Sequence, residues 1–162
     1  MMSTGESAEI REMLARALGW EDAHVGFETA VAGVSPEHRG QIPPGLPYSI
    51  WQLVEHIRLT QRDILDFCCD PEYQERHWPD DYWPPTGAAP DEEAWQSSCA
   101  AVAEDRNALA RLVRDSTRSL VAPIPHGDGQ TLLREAILVI DHTGYHVGQI
   151  VVIRKALGSW GG

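Results

Sequence analysis

The chain is short of positive charge. It carries 13 Lys and Arg against 24 Asp and Glu, a formal net charge of −11 at pH 7. Such a surface repels a phosphate backbone and no basic stripe overrides it, so nucleic acid is not an expected partner. Cysteine is scarce as well, with only Cys68, Cys69 and Cys99. An odd, sparse set without framework spacing fits a reducing compartment, and adjacent Cys68 and Cys69 are poorly placed for an ordinary bridge. They read as small apolar fillers near a helix end. No apolar run approaches the roughly 20 residues that cross a bilayer, so no membrane is expected. The segment Met1–Glu9 has neither a basic patch nor a following apolar stretch, which speaks against a secretory signal. The expected setting is the cytoplasm. Strand alternation and internal repeats are missing too.

What is present is enough apolar material, 43% of 162 residues, for one domain over residues 1–162 with a real core. Proline- and glycine-rich breaks leave four helical stretches. The first spans about Glu6 to Ala32, with Ile10, Met13, Leu14, Ala17, Leu18, Val25 and Val31 on an approximate 3.6-residue period; Gly19 and Gly26 weaken its continuity. The second opens at Ser49, whose partner Gln52 completes a capping box, and runs to about Cys69 before Asp70-Pro71. The third starts at the N-cap Asp91 and runs to about Ser119, with Trp95, Cys99, Val102, Leu109, Leu112 and Val113 as core positions. The fourth runs from Thr131 to about Leu157 and ends at Gly158. Residues 71 to about 90 form a long connection between the second and third helices. Its segment His77-Trp78-Pro79-Asp80-Asp81-Tyr82-Trp83 suggests a cover packed on the body. The expected fold is all-α, a four-helix bundle.

The fourth stretch contains Asp141-His-Thr-Gly-Tyr-His-Val-Gly-Gln149. His142 and His146 are four residues apart, so both rings lie on one helix face about 6 Å apart along the axis. The preceding Thr131–Ile140 segment is strongly apolar, which carries the pair toward an interior. Buried imidazole is costly unless it is hydrogen-bonded or bound to something. Among the other histidines, His38 and His126 sit in loops, His77 in the aromatic segment and His24 in the first helix. His56 differs, because it lies in the middle of the second helix beside Leu53, Val54 and Ile57. Three imidazoles from two facing helices form an open metal site. Zn²⁺ accepts three histidines and leaves a fourth position for water or substrate, and Ni²⁺ also takes imidazole. The same three residues can instead be hydrogen-bonded within the core or line a metal-free pocket. Gln149, Glu135 and Tyr145 are the candidates for orienting the rings or moving a proton, with Glu55, Thr60 and Asp63 on the second helix.

Ser49-Ile-Trp-Gln-Leu-Val-Glu-His56 resembles the segment of DinB/YfiT-like proteins that supplies their first metal histidine. Asp141-His-Thr-Gly-Tyr-His-Val-Gly-Gln149 is similar to the segment that supplies the second and third. The resemblance covers nearly the whole chain and implies a dimeric four-helix bundle. It implies that His56, His142 and His146 hold a divalent metal, zinc or nickel. It also implies a small-molecule substrate, in some members a low-molecular-weight thiol such as bacillithiol or mycothiol. The expected function is a metal-dependent thiol S-transferase or hydrolase. The alternative is a non-enzymatic bundle that binds a metal or small ligand as a sensor or scaffold, or that keeps its histidines without a metal.

Overall fold

Residues 4–161 are described by the computed structural model, and they form six α-helices and no strand. The helices are α1 (Thr4–Ala17), α2 (Phe27–Val31), α3 (Pro36–Arg39), α4 (Ile50–Cys69), α5 (Glu92–Arg114) and α6 (Leu132–Ala156). A 3₁₀ turn, Asp80–Tyr82, lies between α4 and α5. Long helices carry most of the packing. α4 lies against both α5 and α6, α1 lies against α5 and α6, and α2 rests on α6.

The starts of the long helices follow from their first residues. Ser49 Oγ accepts from the Gln52 N–H at 3.1 Å while Gln52 Oε1 accepts from the Ser49 N–H at 3.0 Å. Two orphan amides of α4 are thereby satisfied reciprocally. Asp91 caps α5 by accepting from the Ala94 N–H at 2.8 Å, and Thr131 caps α6 by accepting from the Arg134 N–H at 3.2 Å. Gly158, at φ +68°, takes the left-handed turn that ends α6, a conformation in which a Cβ is strained.

Two of the expected boundaries are corrected. The first stretch is not one helix from Glu6 to Ala32 but α1, a turn and the short α2, with α3 following beyond it. After Ala17 the Glu21 carboxylate takes over from the backbone, accepting from the Gly26 N–H at 3.1 Å and the Thr29 hydroxyl at 3.2 Å. A side chain at position 26 would meet Glu21 at 2.5 Å, so this close return suits glycine. The buried stripe of α1 is Ala15, with Leu18 just beyond the helix end, whereas Ile10 and Met13 are exposed. The third stretch ends at Arg114 rather than near Ser119, because Asp115 accepts from both the backbone and the hydroxyl of Thr117 (2.9 and 2.6 Å) and closes a local turn. Cys99 and Leu112, expected in its core, are only half-buried.

One more expectation changes. By length and composition α6, at 25 residues, is apolar enough to cross a membrane. The helix also buries Glu135, His146 and Arg154. Its buried apolar residues, among them Val139, Val147, Ile150 and Ile153, face the interior that α6 shares with α2 and α4, while Ile137 and Val152 are exposed. Arg154 donates to the Ala30 carbonyl at 2.8 Å and to the Ser159 carbonyl at 2.9 Å, tying α2 to the end of α6.

The apolar interior is divided. One cluster joins Ile50, Leu53, Val54 and Ile57 of α4 to Val147, Ile150 and Ile153 of α6, with Phe27, Trp95 and Val102. The other joins Ile64, Leu65 and Cys68 of α4 to Leu132, Ala136 and Val139 of α6, with Leu18, Leu109 and Val113. Each fully buried Leu or Ile contributes roughly 1.5–3 kcal/mol. Between the clusters, along the α4–α6 seam, lies the polar stretch that holds the histidines.

Candidate metal centre

α4 presents His56 less than two turns after its capped start. Its Nδ1 lies 2.7 Å from the Tyr82 carbonyl oxygen. A carbonyl only accepts, so the ring proton is on Nδ1 and Nε2 carries a bare lone pair. Trp83 lies flat on the same ring, centroids 4.0 Å apart and planes 3° from parallel, and Tyr48 stacks on Trp83 at 4.4 Å. His146 is oriented the same way, its Nδ1–H donating to Gln149 Oε1 at 2.7 Å, which leaves its Nε2 bare as well. His142 brings its Nε2 to 3.0 Å from that of His56.

The three ring centroids are 4.4 to 4.8 Å apart. Their ligand-capable nitrogens all lie within 4.8 Å of one another. A tetrahedral ion with metal–nitrogen bonds of about 2.0–2.1 Å holds its nitrogens roughly 3.3 Å apart. Small ring rotations therefore suffice to place three donors around one cation. No other group of three His, Cys, Asp or Glu has this spacing among the described residues.

Electrostatics keeps the rings neutral. Burial, followed by the neighbouring His146 and His56, pushes the His142 imidazole down to about 3. Burial also lowers His56 and His146, opposed in the first by the Tyr82 carbonyl and in the second by Gln149. Neutral imidazole is the ligand form, and an all-nitrogen donor set suits a borderline metal better than Ca²⁺ or Mg²⁺. The chain's own thiols are not primed for attack. Burial pushes Cys68 up to about 12 and Cys99 up to about 11, and it raises Cys69 too. Cys68 is buried as a filler, but Cys69, expected to act likewise, is exposed.

The remaining candidates divide. Gln149 touches the centre directly. Tyr145 sets its ring edge-on to His146 with centroids 5.0 Å apart and is 65% exposed. Glu135 is buried two turns before His142 and pairs with Arg134 at 2.7 Å, making no hydrogen bond to a histidine. Glu55 is held by Arg58 at 2.7 Å. The Thr60 hydroxyl is buried without a partner. Asp63 accepts from the Tyr73 and Tyr82 hydroxyls at 2.9 and 2.7 Å, so it reaches His56 through Tyr82.

The other histidines stay away. His24 is exposed in the turn before α2, not within a helix; His38 lies in α3 rather than a loop and bonds Ser35 at 3.0 Å. His77 and His126 are exposed. Tyr48, Tyr82 and Trp83 were not singled out from the sequence, where only the aromatic density of 77–83 pointed toward two of them. Of that segment Tyr82 is buried and Trp83 packs on the centre, while Trp78 is exposed.

Neither the curated proteins nor the solved structures contain a match to this chain. The DinB superfamily model matches residues 20–150, a span that contains all three converging histidines, and the chain belongs to that superfamily.

Proposed function

We propose that this protein is a four-helix bundle of α1, α4, α5 and α6 in which His56, His142 and His146 hold one divalent zinc or nickel ion, and that it is an enzyme acting on small molecules. The favoured reaction is S-transfer from a low-molecular-weight thiol; hydrolysis is the second form of the same chemistry. The single observation that supports this reading is the convergence of three neutral imidazoles, two of them with bare Nε2 atoms, at one point of the α4–α6 seam. Bound there, a divalent ion would lower the pKa of a thiol or water at an open position to near neutrality.

The residues of the chain supply the rest. Tyr82 and Gln149 fix the tautomers of His56 and His146. Trp83 covers one face of His56 against water. In S-transfer the thiol sulfur forms a bond to an electrophilic carbon. The bond from that carbon to its leaving group breaks, the electron pair departs with the leaving group, and the thiol proton passes to solvent. The three cysteines, with raised pKa values, leave the nucleophile to be supplied by the substrate.

The test is metal analysis of untagged protein, followed by thiol-consumption assays across a panel of low-molecular-weight thiols and electrophiles. Wild type carries about one zinc or nickel per chain, and the His56→Ala/His142→Ala variant carries essentially none. Equal metal content in the two proteins rejects the site. Full metal content without turnover of any thiol, ester or amide substrate leaves a metal-binding module in place of an enzyme. The homodimer implied by the family resemblance is read from the mass in solution.

A further inference from the structure

The histidine centre lies between two pockets of opposite character on the same pair of helices. Toward the start of α6, a pocket of about 390 Å³ is walled by Asp63, Tyr73, Tyr82, Gln130, Arg134 and Glu135. Toward the end of α6, a pocket of about 340 Å³ is walled by Leu46, Tyr48, Leu53, Tyr145, Val152 and Ile153, with Gly148 and Gln149 in its floor. Both pockets reach the centre through residues that touch it. Tyr82 belongs to the polar pocket and receives the His56 Nδ1–H. Gln149 belongs to the apolar pocket and receives the His146 Nδ1–H, while Tyr145 packs on that same ring. Tyr48 reaches His56 through the stacked Trp83.

We infer that the apolar pocket receives an uncharged aryl or short alkyl group of the molecule that reacts at the histidine centre. The inference rests on the S-transfer reading, in which that molecule is the electrophile. Low-molecular-weight thiols are polar, and the carboxylates, guanidinium and hydroxyls on the other side of the centre match that half of the reaction. The apolar side has no charged wall residue. A charged or strongly hydrated group placed there loses water without gaining a partner, whereas an aryl or alkyl group loses only unfavourable hydration. Size agrees, since an apolar cavity of roughly 150 Å³ already holds benzene, so about 340 Å³ admits a substituted ring. The pocket's contact with the centre is what selects a substrate group as occupant. An occupant of the pocket touches Gln149 and Tyr145, the two wall residues that contact His146.

Gly148 makes the inference testable without straining the fold. A Cβ there meets nothing within 4 Å, and its φ is not positive. Gly148→Phe fills the pocket while raising helix propensity, and Val152→Asp places a charge in it. Fluorobenzene is titrated into the metal-loaded wild type and both variants by fluorine NMR, with metal content, circular dichroism and solution mass recorded for each. Wild type binds fluorobenzene, and each folded variant binds it about tenfold more weakly or worse with metal retained. The ratio of rate constants for chlorodinitrobenzene over iodoacetamide, with the same thiol, falls about tenfold in Gly148→Phe. Absent binding in wild type overturns the inference, as does binding indifferent to both substitutions. A wild-type dimer that either variant converts to monomer, with no fluorobenzene bound, also overturns it by giving the face to a second copy. Weakened fluorobenzene binding in the variants, with no thiol consumed by any of the proteins, supports the pocket and rejects S-transfer, so the two failures are distinct.

Discussion

Two buried polar groups share the α4–α6 seam, two helical turns apart, and they are built on opposite terms. At Asp63 every charge meets its own partner. The carboxylate takes hydrogen bonds from the Tyr73 and Tyr82 hydroxyls and has Arg76 at 3.4 Å, while Glu135 nearby on α6 has Arg134. Among the histidines, the outward Nδ1–H groups of His56 and His146 are satisfied by Tyr82 and Gln149, and the Nε2 atoms of His56 and His142 meet at 3.0 Å. A set that is closed upon itself stabilises the fold, and breaking it strands a buried group. A set with bare lone pairs turned inward, as on His56 and His146, has room to accept a group from outside. Buried polarity alone does not mark a site; the direction of the unpaired lone pairs does.

The sharpest way to break this comparison is to add and remove the ion. Metal at about a thousand times its dissociation constant raises the unfolding free energy of wild type by about 4 kcal/mol, and chelation abolishes the gain. Urea unfolding of His56→Ala/His142→Ala shows no such gain. Next in size is Asp63→Ala, which leaves two hydroxyls and Arg76 without their acceptor and lowers stability by about 3 kcal/mol in the same assay. Because Asp63 holds Tyr82, and Tyr82 holds His56, zinc affinity in a chelator competition also falls by about tenfold. A stability loss in Asp63→Ala with unchanged affinity would separate the two clusters completely.

The pH response distinguishes them further. The three histidines have folded pKa values below their unfolded ones, to about 3 for His142. The unfolded chain therefore binds more protons in the window from about 6.5 downward, and stability falls as pH falls through it. Metal-free wild type loses up to about 1.4 kcal/mol per pH unit between pH 6.5 and 4 from the His142 proton, and His56 and His146 act in the same direction, read from urea midpoints. His142→Asn flattens that slope. Gln149→Leu removes the acceptor that orients His146 and lowers zinc affinity about tenfold with little change in the metal-free unfolding midpoint. The smallest effect belongs to Tyr145→Phe. Its side chain is exposed, and metal content and stability stay within about 0.5 kcal/mol of wild type, as measured by metal analysis and urea unfolding.

Much of this was legible from the residues. The His142/His146 pair follows from helical geometry that four residues decide, and Ser49, Asp91 and Thr131 announce their helices through hydrogen bonds only three residues long. The run from Glu6 to Ala32 was misleading because apolar period carries no record of a side chain such as Glu21 that replaces a helical hydrogen bond. The end of α5 was overshot for the same reason, at Asp115. Glu135 had the correct face and depth for a role beside His142, yet Arg134 claims it.

The sequence by itself determined what short-range forces govern: helix starts and ends where caps are strong, the buried stripe of α4, and the presentation of two imidazoles on one face. Tertiary structure alone decided that His56 meets them across 86 residues, that Tyr82 returns across 26 to set its tautomer, and that Trp83 covers it. Helical periodicity reports which face of an element is apolar. It does not report which faces oppose one another or how the intervening chain returns, because those follow from packing the whole interior at once.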